Sequence, residues 1–133
     1  MAEPYTLKNL AEVGDAAPAH GLDGFWEARV AGRSLEAERT GVAFFRLKAG
    51  RRSAFAHRHE EAEEIYVVLR GRGRMKLDDQ IVEVSPLDAV RVAPHVVRAF
   101  EAGGDGLDFL VFGAHHAGDG ELVEDGWAGA NSR

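Results

Sequence analysis

The chain contains no cysteine, which excludes a disulfide framework and any thiolate metal site. No apolar run approaches the roughly 20 residues a membrane-spanning helix needs. The N-terminus lacks the basic-then-apolar pattern of a secretory signal, so the cytoplasm is the expected location by default. Positive charge is in short supply: 16 Lys and Arg stand against 22 Asp and Glu, a net charge of -6. That balance argues against nucleic acid or an anionic membrane as the main partner. Helical periodicity is nearly missing, and the serines stand outside any nucleophile–base pattern. What is present is a 133-residue chain with 45% hydrophobic and 29% charged residues. It reads as one soluble globular domain over residues 1–133, with a modest core and no internal repeat.

The first 24 residues are irregular. Thr6 stands where it would cap a short helix over Leu7 to Val13, ended by Gly14. Phe25 to Val30 reads as a strand, and Gly32 to Gly41 as a charged loop. From Gly41 the pattern becomes regular. Strands are expected at Val42–Lys48, Ala54–His59, Glu64–Leu69, Arg74–Leu77, Ile81–Val84, Ala89–Val92, Val96–Phe100 and Leu107–Phe112. Turns are expected at Arg70–Gly73, at Asp78–Asp79, around Pro86 and Pro94, and at Gly103–Gly106, the clearest of them. Short strands with a turn every few residues point to an all-β sandwich or small antiparallel barrel, its core within about 25–112. Residues 113 to 133 lose the pattern. Two readings stay open there: a flexible tail, or a strap in which Trp127 packs on the barrel.

The stretch from Gly50 to Gly71 organises the chain. His57 and His59 sit two apart, so on a strand their side chains share one face. Glu60, Glu61, Glu63 and Glu64 follow, then the β-forming run Ile65-Tyr66-Val67-Val68-Leu69. Two imidazoles and a carboxylate on one face could hold a divalent cation. Other histidines are poorer candidates: His95 follows Pro94 at a turn, His20 lies in the irregular lead-in, and nothing in the spacing of His115 and His116 aims them inward. Arg70, Arg72 and Arg74 read as a solvated turn. Tyr66, Phe55 and Phe100 fall on the pocket-facing parity of their strands, as wall residues of a ligand site.

This stretch resembles the first motif of the cupin superfamily: a glycine, a His-x-His pair, a glutamate and a second glycine. Gly50, His57, His59, Glu64 and Gly71 match it, with one extra residue between Gly50 and His57. The resemblance runs from about Phe44 to Phe112. It selects Glu64 over Glu63, and it implies a barrel of the jelly-roll type with the site inside. The second motif of the superfamily departs here. In the register set by Pro86-Leu87-Asp88-Ala89-Val90 and Val92-Ala93-Pro94, Leu87 occupies the glycine position, Arg98 the histidine position and Ala102 the asparagine position. The fourth metal ligand that the resemblance implies is therefore absent, because a guanidinium stays protonated and offers no lone pair.

His57, His59 and Glu64 remain as a 2-His-1-carboxylate set, sufficient by ligand count for iron, manganese, nickel or zinc. A cation about 5 Å from a guanidinium is repelled by several kcal/mol at an effective dielectric near 20. A metal-free pocket, with Arg98 paired to Glu64, is thus a close second. The expected function is binding of a small polar or anionic molecule through Arg98, beside a weak metal site. The alternative is a metal-dependent oxygenase, isomerase or lyase using the triad. Arg98 is expected on the strand opposite the triad. Short edge strands near the N-terminus make a homodimer a further expectation.

Overall fold

The computed structural model describes residues 4–114, 118–123 and 127. Eight strands follow one another: β1 (Trp26–Val30), β2 (Thr40–Leu47), β3 (Ala56–His59), β4 (Glu64–Leu77), β5 (Gln80–Val84), β6 (Ala89–Val92), β7 (Arg98–Ala114) and β8 (Gly120–Val123). All pair antiparallel in one sheet that curls on itself. The all-β antiparallel class read from the turn spacing is the class observed.

Two long strands make the curl. The second part of β7, Leu107 to Gly113, lies between β2 and the Glu64–Gly71 part of β4. Its first part, Arg98 to Ala102, pairs with Gly73–Leu77 of β4, and Arg98 pairs with His57 of β3. β6 and β1 extend the first half, while β5 and β8 extend the second. The turns expected at Arg70–Gly73 and Gly103–Gly106 are therefore not strand ends. They are the places where β4 and β7 bend side by side, with register shifts at Val68/Arg70 and Gly71/Gly73. Gly71 and Gly106 both have φ +82°, and a Cβ on Gly71 would run into the Gly106 carbonyl. Glycine lets two paired strands turn a corner together, so its clusters here mark bends rather than breaks.

The bend brings the two halves face to face around the core. Phe100 and Phe109, one on each side of it, stack with centroids 4.1 Å apart. Trp26, Leu47, Tyr66, Val68, Met75 and Leu107 fill the same buried cluster. On the outer face of the β3 half, Ala56 and Ala99 leave room for a ring, and the buried Trp127 packs there. The Arg52 guanidinium lies 4.7 Å from the Trp127 ring centroid. With β8 paired to β3, the described part of the C-terminal segment follows the strap reading. His115 and His116 lie outside the described residues.

The expected helix over Leu7 to Val13 is replaced by one short 3-10 turn, Leu10–Glu12, capped by the Asn9 side chain, which accepts from the Ala11 N–H at 2.8 Å. The Thr6 hydroxyl donates to the Leu35 carbonyl at 2.6 Å instead of capping. Leu7 is 88% exposed and Val13, at the far end, is the one buried apolar residue of the segment, so a longer helix would have had little apolar face to bury. Among the described residues no helix is long and apolar enough to cross a membrane.

Leu87, at the turn before β6, has φ +73°. The turn is held there because the Leu87 N–H donates to Val68 O at 2.8 Å, and Val68 N–H donates to Asp88 O at 3.0 Å. A leucine in this left-handed region is strained by about 1–2 kcal/mol, and its side chain is 81% exposed, so no packing offsets the strain. Leu87→Gly should raise the urea midpoint with an unchanged m-value, a gain of about 1 kcal/mol.

Candidate metal and ligand site in the barrel interior

The strand parity of β3 sends His57 and His59 inward and Arg58 outward, where it pairs with Glu121 at 2.7 Å. Glu64 and Tyr66 face inward from the start of β4, while Ile65 between them is exposed. The triad thus spans the curl: its histidines come from one half and its carboxylate from the other, joined by the loop 60–63. One ligand atom from each of His57, His59 and Glu64 lies within 4.8 Å of the other two. This group can hold a divalent metal. Glu63 points away and pairs on the surface with Arg91 at 3.2 Å.

Four groups gather around a single oxygen, Glu64 Oε1. The Tyr66 hydroxyl donates to it at 2.6 Å. His59 Nε2 lies 3.3 Å away and His57 Nε2 3.4 Å away. Arg98 Nη1 lies 3.9 Å away. Burial opposes ionisation of Glu64, but the close His57 imidazole, the Tyr66 hydrogen bond and the proximity of His59 outweigh it. Its carboxyl is held below the ordinary value. Burial and the Glu64 charge push the Tyr66 phenol well up, against the pull of Arg98, so it remains a proton donor at neutral pH.

Arg98 is the largest fully buried side chain among the described residues, its side chain 0% exposed. It faces the interior as the sequence register required, but not from a strand opposite the triad. It sits directly beside His57 on the adjoining strand, in the half that carries the histidines, and meets Glu64 across the interior. The reason lies in β7, whose long bend brings its first residues back against β3. Arg98 Nη2 donates to the Ala93 carbonyl at 2.9 Å, while Nε and Nη1 have no hydrogen-bond partner among the described residues.

The interior cavity has a volume of about 230 Å³, and its lining includes His57, His59, Glu64, Tyr66, Phe55, Phe100 and Arg98. An open cleft between residues 32–37 and the start of β2 reaches His59 and Glu64 from outside. His95 and His20 are exposed on the surface; His95 lines a surface cleft that also touches His59, but neither belongs to the triad.

Asp119, from the segment before β8, was not singled out by the sequence. Its Oδ1 accepts from the Glu60 and Glu61 N–H groups at 2.9 and 3.0 Å, and its Oδ2 from Ala62 N–H at 3.0 Å. Oδ2 also lies 3.2 Å from His59 Nδ1, but off the line of an N–H at that nitrogen, so this is a charge contact rather than a hydrogen bond. Asp119 therefore ties the loop that joins the histidine strand to the glutamate strand. A lone Asp between two glycines carries no spacing signal, which is why only the fold reveals it. Burial would raise its pKa, but the three N–H groups and His59 hold it below 3.8. A depressed carboxyl contributes above its unfolded pKa and loses that contribution as pH falls through the folded value. The tie should therefore persist into acid below the ordinary carboxylate range. Asp119→Ala should speed amide hydrogen exchange at residues 60–62 by about tenfold or more, leaving the β4–β7 corner unchanged.

Three comparisons bear on this arrangement. The family model described as the cupin domain matches residues 43–112. An uncharacterized protein of Methanocaldococcus jannaschii is 40% identical over 45 residues, 34% of this chain and 36% of that protein, so the match spans about a third of that relative's length. Among solved structures, a cupin protein from Bacteroides fragilis shares 24% identity at a TM-score of 0.69, over 88% of this chain and 89% of that one. A sugar phosphate isomerase of the cupin superfamily from Silicibacter pomeroyi shares 17% identity at a TM-score of 0.70, over 90% and 93%. A Bacillus subtilis oxalate decarboxylase variant shares 20% identity at a TM-score of 0.71, over 89% of this chain and 33% of that one. The likeness of these structures extends to the fold. The family model covers the residues from β2 through both histidines and Glu64 to the second half of β7, and on that match the chain belongs to the cupin family.

Proposed function

We propose that this protein binds a small polar or anionic molecule in its interior cavity through Arg98, beside a divalent-metal site of modest affinity at His57, His59 and Glu64. The observation that carries the reading is the state of Arg98. It is a wholly buried guanidinium in the cavity lining; among the described residues its Nε and Nη1 are unpartnered and its one ion-pair neighbour is Glu64 at 3.9 Å. Leaving donors of a buried charge unsatisfied is costly, and an anionic group entering the cavity would satisfy them.

The donor set fits a metal. His59 Nε2 is buried without a hydrogen bond from or to the described residues, and two imidazoles with one carboxylate suit iron, manganese, nickel or zinc. A bound ion would supply Lewis acidity at the head of the cavity. Tyr66 would keep its proton and orient Glu64, and Arg98 would orient the anion. The same Arg98 limits affinity. Unit charges about 4 Å apart at an effective dielectric of about 20 interact by roughly 4 kcal/mol, and a guanidinium this close to Glu64 competes with a cation for that carboxylate.

Calorimetric titration of the metal-free protein and of Arg98→His with manganese, iron(II) and nickel tests the reading. The variant should gain roughly tenfold or more in metal affinity, each factor of ten being about 1.4 kcal/mol. Equal affinities would refute the idea that Arg98 weakens the metal site.

A further inference from the structure

We propose that the occupant of the cavity is a monocyclic aromatic compound, or one of similar flat apolar shape, carrying a single anionic head, and is not a polyhydroxylated acid of the sugar type. The inference rests on Arg98 as the anion-binding group and adds the chemistry of the rest of the ligand.

The wall decides the body. Trp26, Phe45, Phe55, Tyr66, Phe100 and Phe109 present their rings to the cavity. They form one connected aromatic lining. Trp26 meets Phe45 and Phe55 edge-on at 5.2 and 5.4 Å, and Phe109 stacks on Phe45 at 5.3 Å and on Phe100 at 4.1 Å. The polar side-chain atoms gather at one pole: the Tyr66 hydroxyl, Glu64, the two histidines and Arg98. Away from that pole, the lining side chains of the described residues offer one hydroxyl, Ser53, whose oxygen already accepts from the Phe100 N–H at 3.0 Å. A ligand with a hydroxyl on most carbons would press most of those groups against phenyl rings that cannot hydrogen-bond them, with the Trp26 indole N–H as the exception. A ligand with one polar end matches the distribution.

The volume sets the size. An apolar cavity of about 150 Å³ accommodates benzene. At about 230 Å³ this one takes a six-membered ring with a carboxylate or a similarly small head. The outer cleft and the cavity share Ala43, His59, Glu64 and Val111, so two members of the polar pole stand at the entrance.

Trp26 provides the readout. The chain has two tryptophans, and Trp127 lies on the outer face, so Trp127→Phe leaves Trp26 alone to report on the cavity. Emission of this variant would be titrated with benzoate, gluconate and toluene, and isothermal calorimetry on the unmodified chain would rank the same probes should the variant fold poorly. The expected result is saturable binding of benzoate, roughly tenfold or more tighter than gluconate, with Arg98→Met abolishing benzoate binding while toluene still binds. Gluconate binding as tightly as benzoate overturns the proposal. If Arg98→Met also removes that gluconate binding, the anion reading survives and only the aromatic body is wrong. Toluene binding as tightly as benzoate overturns the anionic head and places the failure in the reading of Arg98. No saturable binding of any probe overturns both.

Discussion

A single carboxylate oxygen joins the two halves of this barrel at its chemical centre. Glu64 Oε1 accepts the Tyr66 hydroxyl at 2.6 Å and stands within 3.3 to 3.9 Å of His59, His57 and Arg98. Tyr66 shares its strand, but His57, His59 and Arg98 reach it from the other half. The ionised carboxylate is what makes a buried Arg98 tolerable. Without it the guanidinium would be a buried unpaired charge, which costs several kcal/mol. Any cation at the triad must share Glu64 with Arg98, and any anion at Arg98 relieves the competition for it. On the proposed reading, metal affinity and ligand affinity would therefore be coupled through this one group.

The backbone keeps that gathering in place. β4 and β7 each run through both halves and bend together at Gly71 and Gly106, so the strand that starts with Glu64 is held against β7 over its whole length. Arg98 opens β7 and is registered to His57. The loop between His59 and Glu64 is the least regular part of the site, and Asp119 takes up three of its N–H groups. β8 carries that aspartate's segment along β3, and Trp127 covers the outer face behind it. The C-terminal segment, for which a strap through Trp127 was one of two open readings, contributes one residue to the support of the site and one to the cover of its back.

Much of this was legible in the residues. Period-two spacing placed both histidines on one face, and the cupin resemblance picked Glu64 from a run of four acids and put Arg98 indoors. The fold class followed from turn chemistry. What could not be read has a common cause: it depends on partners distant in sequence. Glycine clusters at 70–73 and 103–106 look like turns singly and become a shared corner only once their strands pair. Arg98 sits beside His57 rather than opposite because β7 folds back at that corner. Asp119 has no pattern of its own. Local propensity also failed at Thr6, whose hydroxyl donates to the distant Leu35 carbonyl instead of capping a helix.

Everything at this junction of four groups depends on Glu64 being a carboxylate. The direct measurement is a pH titration of the Glu64 side-chain carboxyl by carbon-13 NMR in chelator-treated protein. The close His57 imidazole, the Tyr66 hydrogen bond and the nearby His59 predict a midpoint below the ordinary 4.5. The group's contribution to stability would then be fully present above the unfolded pKa and lost as pH falls through the folded one. A midpoint at or above 4.5 would mean that burial dominates, that Glu64 does not hold Arg98 and the histidines together, and that the proposed coupling of metal and ligand has no basis.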